Sequence, residues 1–152
     1  MVPRFPLVGL VLAGFLAVSE FALTDAPPQF VTLARDGKPA VVIVTAEDPI
    51  LAERTAAREL VEYRNKATGG EFATATEQGY DPKQPAVYVG PTAFAKRHGL
   101  DAANWGPERW TVRTAGKSLI PVGGRPRGTL ICLRAGMPTR GLRAAVWACP
   151  IS

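Results

Sequence analysis

The feature that most constrains this chain is a strand–helix–strand run between residues 40 and 76. Residues 40–45, AVVIVT, form a short β-branched apolar run of the kind that makes a buried strand. The stretch that follows predicts a long helix. Asp48 is a candidate cap, Pro49 suits the first helical position, and Glu53 puts negative charge near the positive end of the helix dipole. Ala52, Ala56, Leu60, Tyr63 and Ala67 recur at steps of three and four, with Ala57 and Val61 widening the stripe. Arg54, Arg58, Glu59, Glu62 and Arg64 fall mostly off it. Gly69-Gly70 stops the helix, and EFATAT at 71–76 reads as the next strand. A helix of this length between two strands is a crossover joining parallel neighbours.

The remaining elements extend that unit. FVTLA at 30–34 reads as a strand that pairs with the 40–45 run, or leads into it, across the Asp36-Gly37 turn. AVYVG at 86–90 is another apolar strand. TAFAKRHGL predicts a short helix capped by Thr92 and stopped by Gly99. RWTVRTAG and KSLIPVGG alternate and meet at Ala115-Gly116, the pattern of a hairpin. Pro121 within the second strand is tolerable at an edge or a bulge. The expected fold is α/β (α+β), a mixed sheet packed with helices. At 152 residues the chain has room for one ordinary domain.

Both ends differ from this middle. Arg4 precedes an apolar run from Leu7 to Val18, about the length of a signal-peptide core and short for a membrane span. Small residues at Ala17-Val18-Ser19 and Thr24-Asp25-Ala26 fit a cleavage point. Residues 1–26 therefore read as a cleaved signal peptide, which sends the mature chain to the periplasm or outside the cell and leaves it no membrane anchor. Residues 131–152 hold three arginines, no Asp, Glu or Lys, and both cysteines, and show neither helical nor strand periodicity. In an exported chain Cys132 and Cys149 are candidates for one disulfide, although both lie in this aberrant tail.

Chemistry-bearing motifs are sparse. There is no His-Glu-x-x-His and no Cys-x-x-Cys, and His98 is the single histidine. A metal site needs several convergent ligands, so no metal and no cofactor are expected, and His98 reads as a helix-end residue. A Ser/His/Asp triad has little support. Glu71, Asp81, Asp101 and Glu108 are carboxylates, but no spacing selects a glycosidase pair among them. The net charge of +5 is spread along the chain, which argues against nucleic-acid binding. Three residues are candidates for carbohydrate contact. Trp105, in the loop NWGPE, could stack on a sugar ring, whereas Trp110 and Tyr88 lie in strands and read as packed. Arg125 and Arg127 stand in GGRPRG, which is either an anion grip or a structural turn, the structural reading being ahead because P-loop and dinucleotide spacings are missing.

ARELVEYRNKATGG, AVYVGPTAFAKRHGLD and PERWTVRTAGKSLIPVGGRPRGTL, in that order over about residues 30–130, together resemble the N-terminal accessory domain of α-glucuronidase-like glycoside hydrolases. The resemblance implies a zincin-like two-layer sandwich without the zinc motif, like the domain that precedes hexosaminidase catalytic barrels. It implies a non-catalytic domain, with catalysis in a following (β/α) barrel. A barrel needs about 250 residues, so no catalytic residue carries over, and the chain by itself is expected not to be an enzyme. The family pattern continues after GGRPRGTL with a Glu-bearing helix that packs back on the sheet, and this chain departs from it at Ile131. Back-translated and read from the second base, Ile131 to Ala135 permits Ser-Val-Tyr-Glu, close to that continuation. The expectation is a frameshift near codon 130, with residues 27–130 forming the accessory domain and its last helix missing. The alternative is a complete small secreted protein that binds polysaccharide through its basic surface and exposed aromatics.

Overall fold

The computed structural model describes residues 31–136. The signal-peptide reading and Cys149, with the disulfide that would involve it, lie outside the described residues. The strands are β1 (Ala34–Arg35), β2 (Lys38–Pro39), β3 (Val42–Thr45), β4 (Thr74–Thr76), β5 (Ala86–Val89), β6 (Trp110–Ala115) and β7 (Ser118–Gly123). The helices are α1 (Leu51–Thr68), α2 (Ala93–Arg97) and α3 (Gly128–Gly136), with one 3-10 turn at Glu77–Gly79. The five-stranded sheet has the order β4-β3-β5-β7-β6. Its first four strands are parallel, and β6 closes one edge as the antiparallel partner of β7. The mixed α/β class and the β3–α1–β4 crossover are those the sequence predicts.

Alternation along the strands divides the core in two. Ile43, Val87, Val89 and Leu119 point to one face and pack with Ala56, Ala57 and Leu60 of α1 and with Cys132 and Leu133 of α3. Val44, Ala86, Tyr88, Ile120 and Val122 point to the other, under Phe94 and Ala95 of α2 and the loop residues Leu100 and Ala102. On that second face Tyr88 stacks on Phe94 with centroids 3.9 Å apart, and Phe94 in turn stacks on His98. His98 caps the C-terminus of α2, as a helix-end residue would.

Several sequence expectations shift by a few residues for definite reasons. The 30–34 strand does not join the main sheet; β1 pairs with β2 across Asp36-Gly37 in a two-stranded hairpin of its own. Helix α1 starts at Leu51 rather than Pro49, and Asp48 does not cap it. Ile50 is the capping residue; having no side-chain acceptor, it relies on the Glu53 carboxylate, which accepts from its backbone N–H at 3.0 Å. Arg64, placed off the apolar stripe by periodicity, is buried, and so is Glu53, read from the sequence as a charge near the positive end of the helix dipole. Pro121 lies in an interior strand rather than at an edge. Its carbonyl faces β5 and accepts from Gly90 N–H at 2.9 Å, so its missing donor falls on the side where β5 is ending. The β6 ladder loses nothing.

The largest correction concerns the expected missing helix. The proposed seam at 130/131 falls inside α3, which runs unbroken from Gly128 to Gly136. Cys132 and Leu133, expected to belong to an aberrant tail, are 0% and 1% exposed. Arg134 holds Glu59 of α1 through two hydrogen bonds of 2.9 and 2.6 Å. Ile131-Cys132-Leu133 is a continuous apolar run too short to show a period, yet once Gly128-Thr129 opens the helix it supplies what the sheet face requires. Leu133→Ala is expected to cost about 3 kcal/mol by creating a core cavity. Urea unfolding measures it, and a tail that does not pack would leave the midpoint unchanged.

Candidate functional site

In open α/β sheets, ligands bind beyond the carboxyl ends of the strands, where neighbouring strands send their connections to opposite faces. Here that position lies between β3 and β5. The connection after β3 leads to α1 on one face, and the connection after β5 leads to α2 on the other. The sequence candidates gather at this same end. GGRPRG follows β7, and NWGPE leads into β6.

The crevice is already filled by the protein's own groups. Glu53, 2% exposed, reaches into it from the first turn of α1. Gly90 at the end of β5 has φ 87°, and a Cβ there would lie 3.2 Å from Glu53 Cγ. Arg125 closes over the carboxylate with two hydrogen bonds, Nε to Oε1 at 2.9 Å and Nη2 to Oε2 at 3.1 Å. This bidentate contact holds the Arg125 guanidinium above its ordinary pKa. The N-terminus of α2 is filled in the same way. Glu77 accepts from Ala93 N–H at 2.7 Å and Phe94 N–H at 2.8 Å, while Thr92 Oγ1 accepts from Ala95 N–H at 3.1 Å. The donors that could have held an anionic ligand are thus met by glutamates.

GGRPRG is built for close backbone packing. A Cβ on Gly124 would lie 2.7 Å from Trp105 O, and one on Gly128 would lie 2.8 Å from Arg109 O. A Cβ on Gly123 would meet Thr129 N at 2.5 Å. Gly124 N–H donates to Arg109 O at 2.9 Å, and Thr129 Oγ1 accepts from Gly123 N–H at 3.1 Å. These contacts pin the turn onto the Gly106–Arg109 segment and open α3.

The structure brings Trp105, Arg125 and Arg127 to one end of the sheet, but each has a partner. Arg125 holds Glu53. Arg127 pairs with Glu108 at the surface. Trp105 is half-buried against the second-face core, with the Arg109 guanidinium 4.8 Å from its ring centroid. The two strand aromatics separate. Tyr88 is buried as expected, whereas Trp110, read as packed, is 40% exposed. Of the tryptophans among the described residues, Trp110 rather than Trp105 is open to solvent. Of the other carboxylates singled out, Asp81 and Asp101 accept from Lys83 and Ala103 backbone N–H groups. Among the described residues no group of three or more His, Cys, Asp or Glu side chains could hold a metal ion.

Sequence reasoning missed Glu53 and Glu77 as anchors. For Glu53 a signal existed, since a glutamate at the third helical position commonly accepts from the capping residue. Glu77 reaches Ala93 and Phe94 across 16 and 17 residues, and no local pattern marks it. Two open concavities also lie in the described residues. One, of about 400 Å³, is lined by Val31, Thr32, Arg35, Ala40, Pro85 and Lys117. The other, of about 520 Å³ and almost wholly apolar, runs between α1 and α3 along Ile50, Leu51, Ala52, Thr55, Pro126 and Leu130.

No protein-family model matches the chain, and no curated protein matches it.

Two predictions follow from this geometry. Arg125→Met leaves the Glu53 charge buried without its partner and is expected to cost about 2 kcal/mol, less than for a fully buried pair because Arg125 is half-exposed. Denaturant unfolding measures the loss, and Arg125→Lys, which keeps the charge but not the bidentate fork, should recover only part of it. The second concerns Glu59, whose pKa is lowered chiefly by its hydrogen bonds to Arg134. A depressed carboxylate contributes stability above its unfolded-state pKa and loses it as pH falls through its folded-state pKa. Glu59→Gln should therefore flatten the acid limb of the stability–pH curve and leave its shape above neutral pH unchanged.

Proposed function

We propose that this chain is the non-catalytic N-terminal accessory domain of a secreted α-glucuronidase-like glycoside hydrolase, present without its catalytic barrel. The observation that carries the reading is the filled crevice. Where a sheet of this kind would hold a ligand, Glu53 and Arg125 bond to each other at 2.9 and 3.1 Å. A bidentate pair on a buried glutamate at that position is architecture, and it leaves neither group available as a general acid or base. The three serial motifs between residues 30 and 130 point the same way. In this role the domain supports a neighbouring barrel, and the coding frame after codon 130 is the natural place to look for it.

A specific observation favours a second reading. Helix α3 seats Cys132 and Leu133 in the core, so the chain as written completes the sheet's first face. That suits a stand-alone secreted polysaccharide-binding protein with Trp110 as its exposed aromatic contact.

Nucleotide sequencing downstream of codon 130 separates the two. An alternate frame that stays open into a barrel-sized segment supports the accessory-domain reading; a closed frame overturns it. Glycan binding by the purified chain, lost in Trp110→Ala, would favour the second reading. Under the first, the chain shows no hydrolysis of uronic-acid-bearing glycans.

A further inference from the structure

The crevice at the carboxyl end of the sheet is closed by the protein's own side chains, but the amino end keeps a concavity of about 400 Å³. Three of its lining residues stand just before three parallel strands. Ala40 leads into β3, Pro85 into β5 and Lys117 into β7, and these strands are neighbours in the sheet. Val31, Thr32 and Arg35, on the β1 side of the small hairpin, form the remaining wall. The hairpin is held in place. Ala40 N–H donates to Leu33 O at 2.9 Å, and a Cβ on Gly37 would lie 3.2 Å from Thr68 O at the end of α1. Backbone donors beside the concavity are engaged, Val42 N–H with Pro85 O at 3.4 Å and Ala86 N–H with Ser118 Oγ at 3.1 Å. Recognition here therefore falls to side chains.

The lining divides by chemistry. Val31, Ala40 and Pro85 supply an aliphatic wall, and Thr32 adds a hydroxyl. Arg35 and Lys117 are exposed cations, and neither takes part in an ion pair among the described residues. In contrast, Arg125, Arg127 and Arg134 each hold a glutamate. No Asp or Glu lines the concavity, so its two positive charges stand unopposed. Like charges flanking one space repel, and an anion between them relieves the repulsion.

We propose that this concavity binds a small organic carboxylate with an apolar body. The Arg35 fork takes the two carboxylate oxygens, Lys117 adds a second positive charge, and the body lies on Val31, Ala40 and Pro85. The volume falls in the range of small-molecule pockets, roughly 300–1,000 Å³. The lining disfavours a sugar, because it has no aromatic ring to stack on and only Thr32 as a neutral polar side chain. The site is thus separate from any glycan contact at Trp110, and it stands whether or not a catalytic barrel follows.

Titration of the full, isotope-labelled chain with 1-naphthoate, followed by amide NMR, tests the site. The expected result is a saturable shift of the Val31, Thr32, Ala40 and Lys117 amides. Two probes separate the parts of the ligand. Acetate, which lacks the body, and 1-naphthylmethanol, which lacks the charge, should each bind at least about tenfold more weakly. Arg35→Gln and Lys117→Gln should each weaken 1-naphthoate about fivefold, as exposed charges do. Lys96→Gln, which removes an exposed charge outside the lining, should leave it unchanged. Both lining residues are exposed, so neither substitution threatens the fold. Absence of a saturable shift at these amides overturns the proposal. So does equal binding of 1-naphthylmethanol, which would mean an apolar patch alone, or wild-type affinity in both lining variants.

Discussion

The ion pair between Glu53 and Arg125 ties together parts of the chain 72 residues apart. Glu53 accepts from Ile50 N–H and so fixes where α1 begins. Its stem fills the space that Gly90 leaves open at the end of β5. Its carboxylate holds Arg125, which fixes the turn from which α3 departs. One buried acid therefore sets the start of one helix, the exit of one strand and the entry to a second helix. A charge buried this deeply is tolerable only with its oxygens fully engaged, so these three elements take up their positions together or not at all.

Much of this architecture was legible in the sequence because it is written in local patterns. The strand–helix–strand unit, Thr92 as a cap, Gly99 as a stop and the 110–123 hairpin all follow from spacing of three, four or two and from turn residues. What escaped was non-local. Arg64 and Glu53 are polar residues on the buried face; periodicity sets Arg64 off the apolar stripe, and Glu53 reads only as a charge for the helix dipole. Pro121 sits in an interior strand because its missing donor happens to fall beside a neighbour that is ending. Trp105 and Trp110 exchange places in exposure because a loop folds back over the second face while the edge strand leaves its first residue open.

The 128–136 segment shows how tertiary context overrides local sequence. Read alone, ICLRAG has no period, no acid near its start and nothing that marks a family. Set after a turn in which Gly124 and Gly128 allow the backbone to approach Gly106–Arg109, the same residues enter a helix with its apolar side against Ala56, Ala57 and Leu60. A sheet face needing cover accepts any apolar run of suitable size and direction. An apparent break in sequence character is thus no break in the fold as far as Gly136.

The parallel course of α1 and α3 has an electrical consequence. Both helices lie on one face and begin at the carboxyl end of the sheet, so their peptide dipoles point the same way. Their positive poles meet beside Arg125 and Arg127. Like poles side by side repel, and antiparallel packing would have cancelled them. The domain accepts the repulsion because each helix must return from a strand running the other way. Glu53, which accepts from Ile50 N–H in the first turn of α1 and from Arg125 beside the start of α3, sets its negative charge between the two poles and so offsets the repulsion that the parallel course creates.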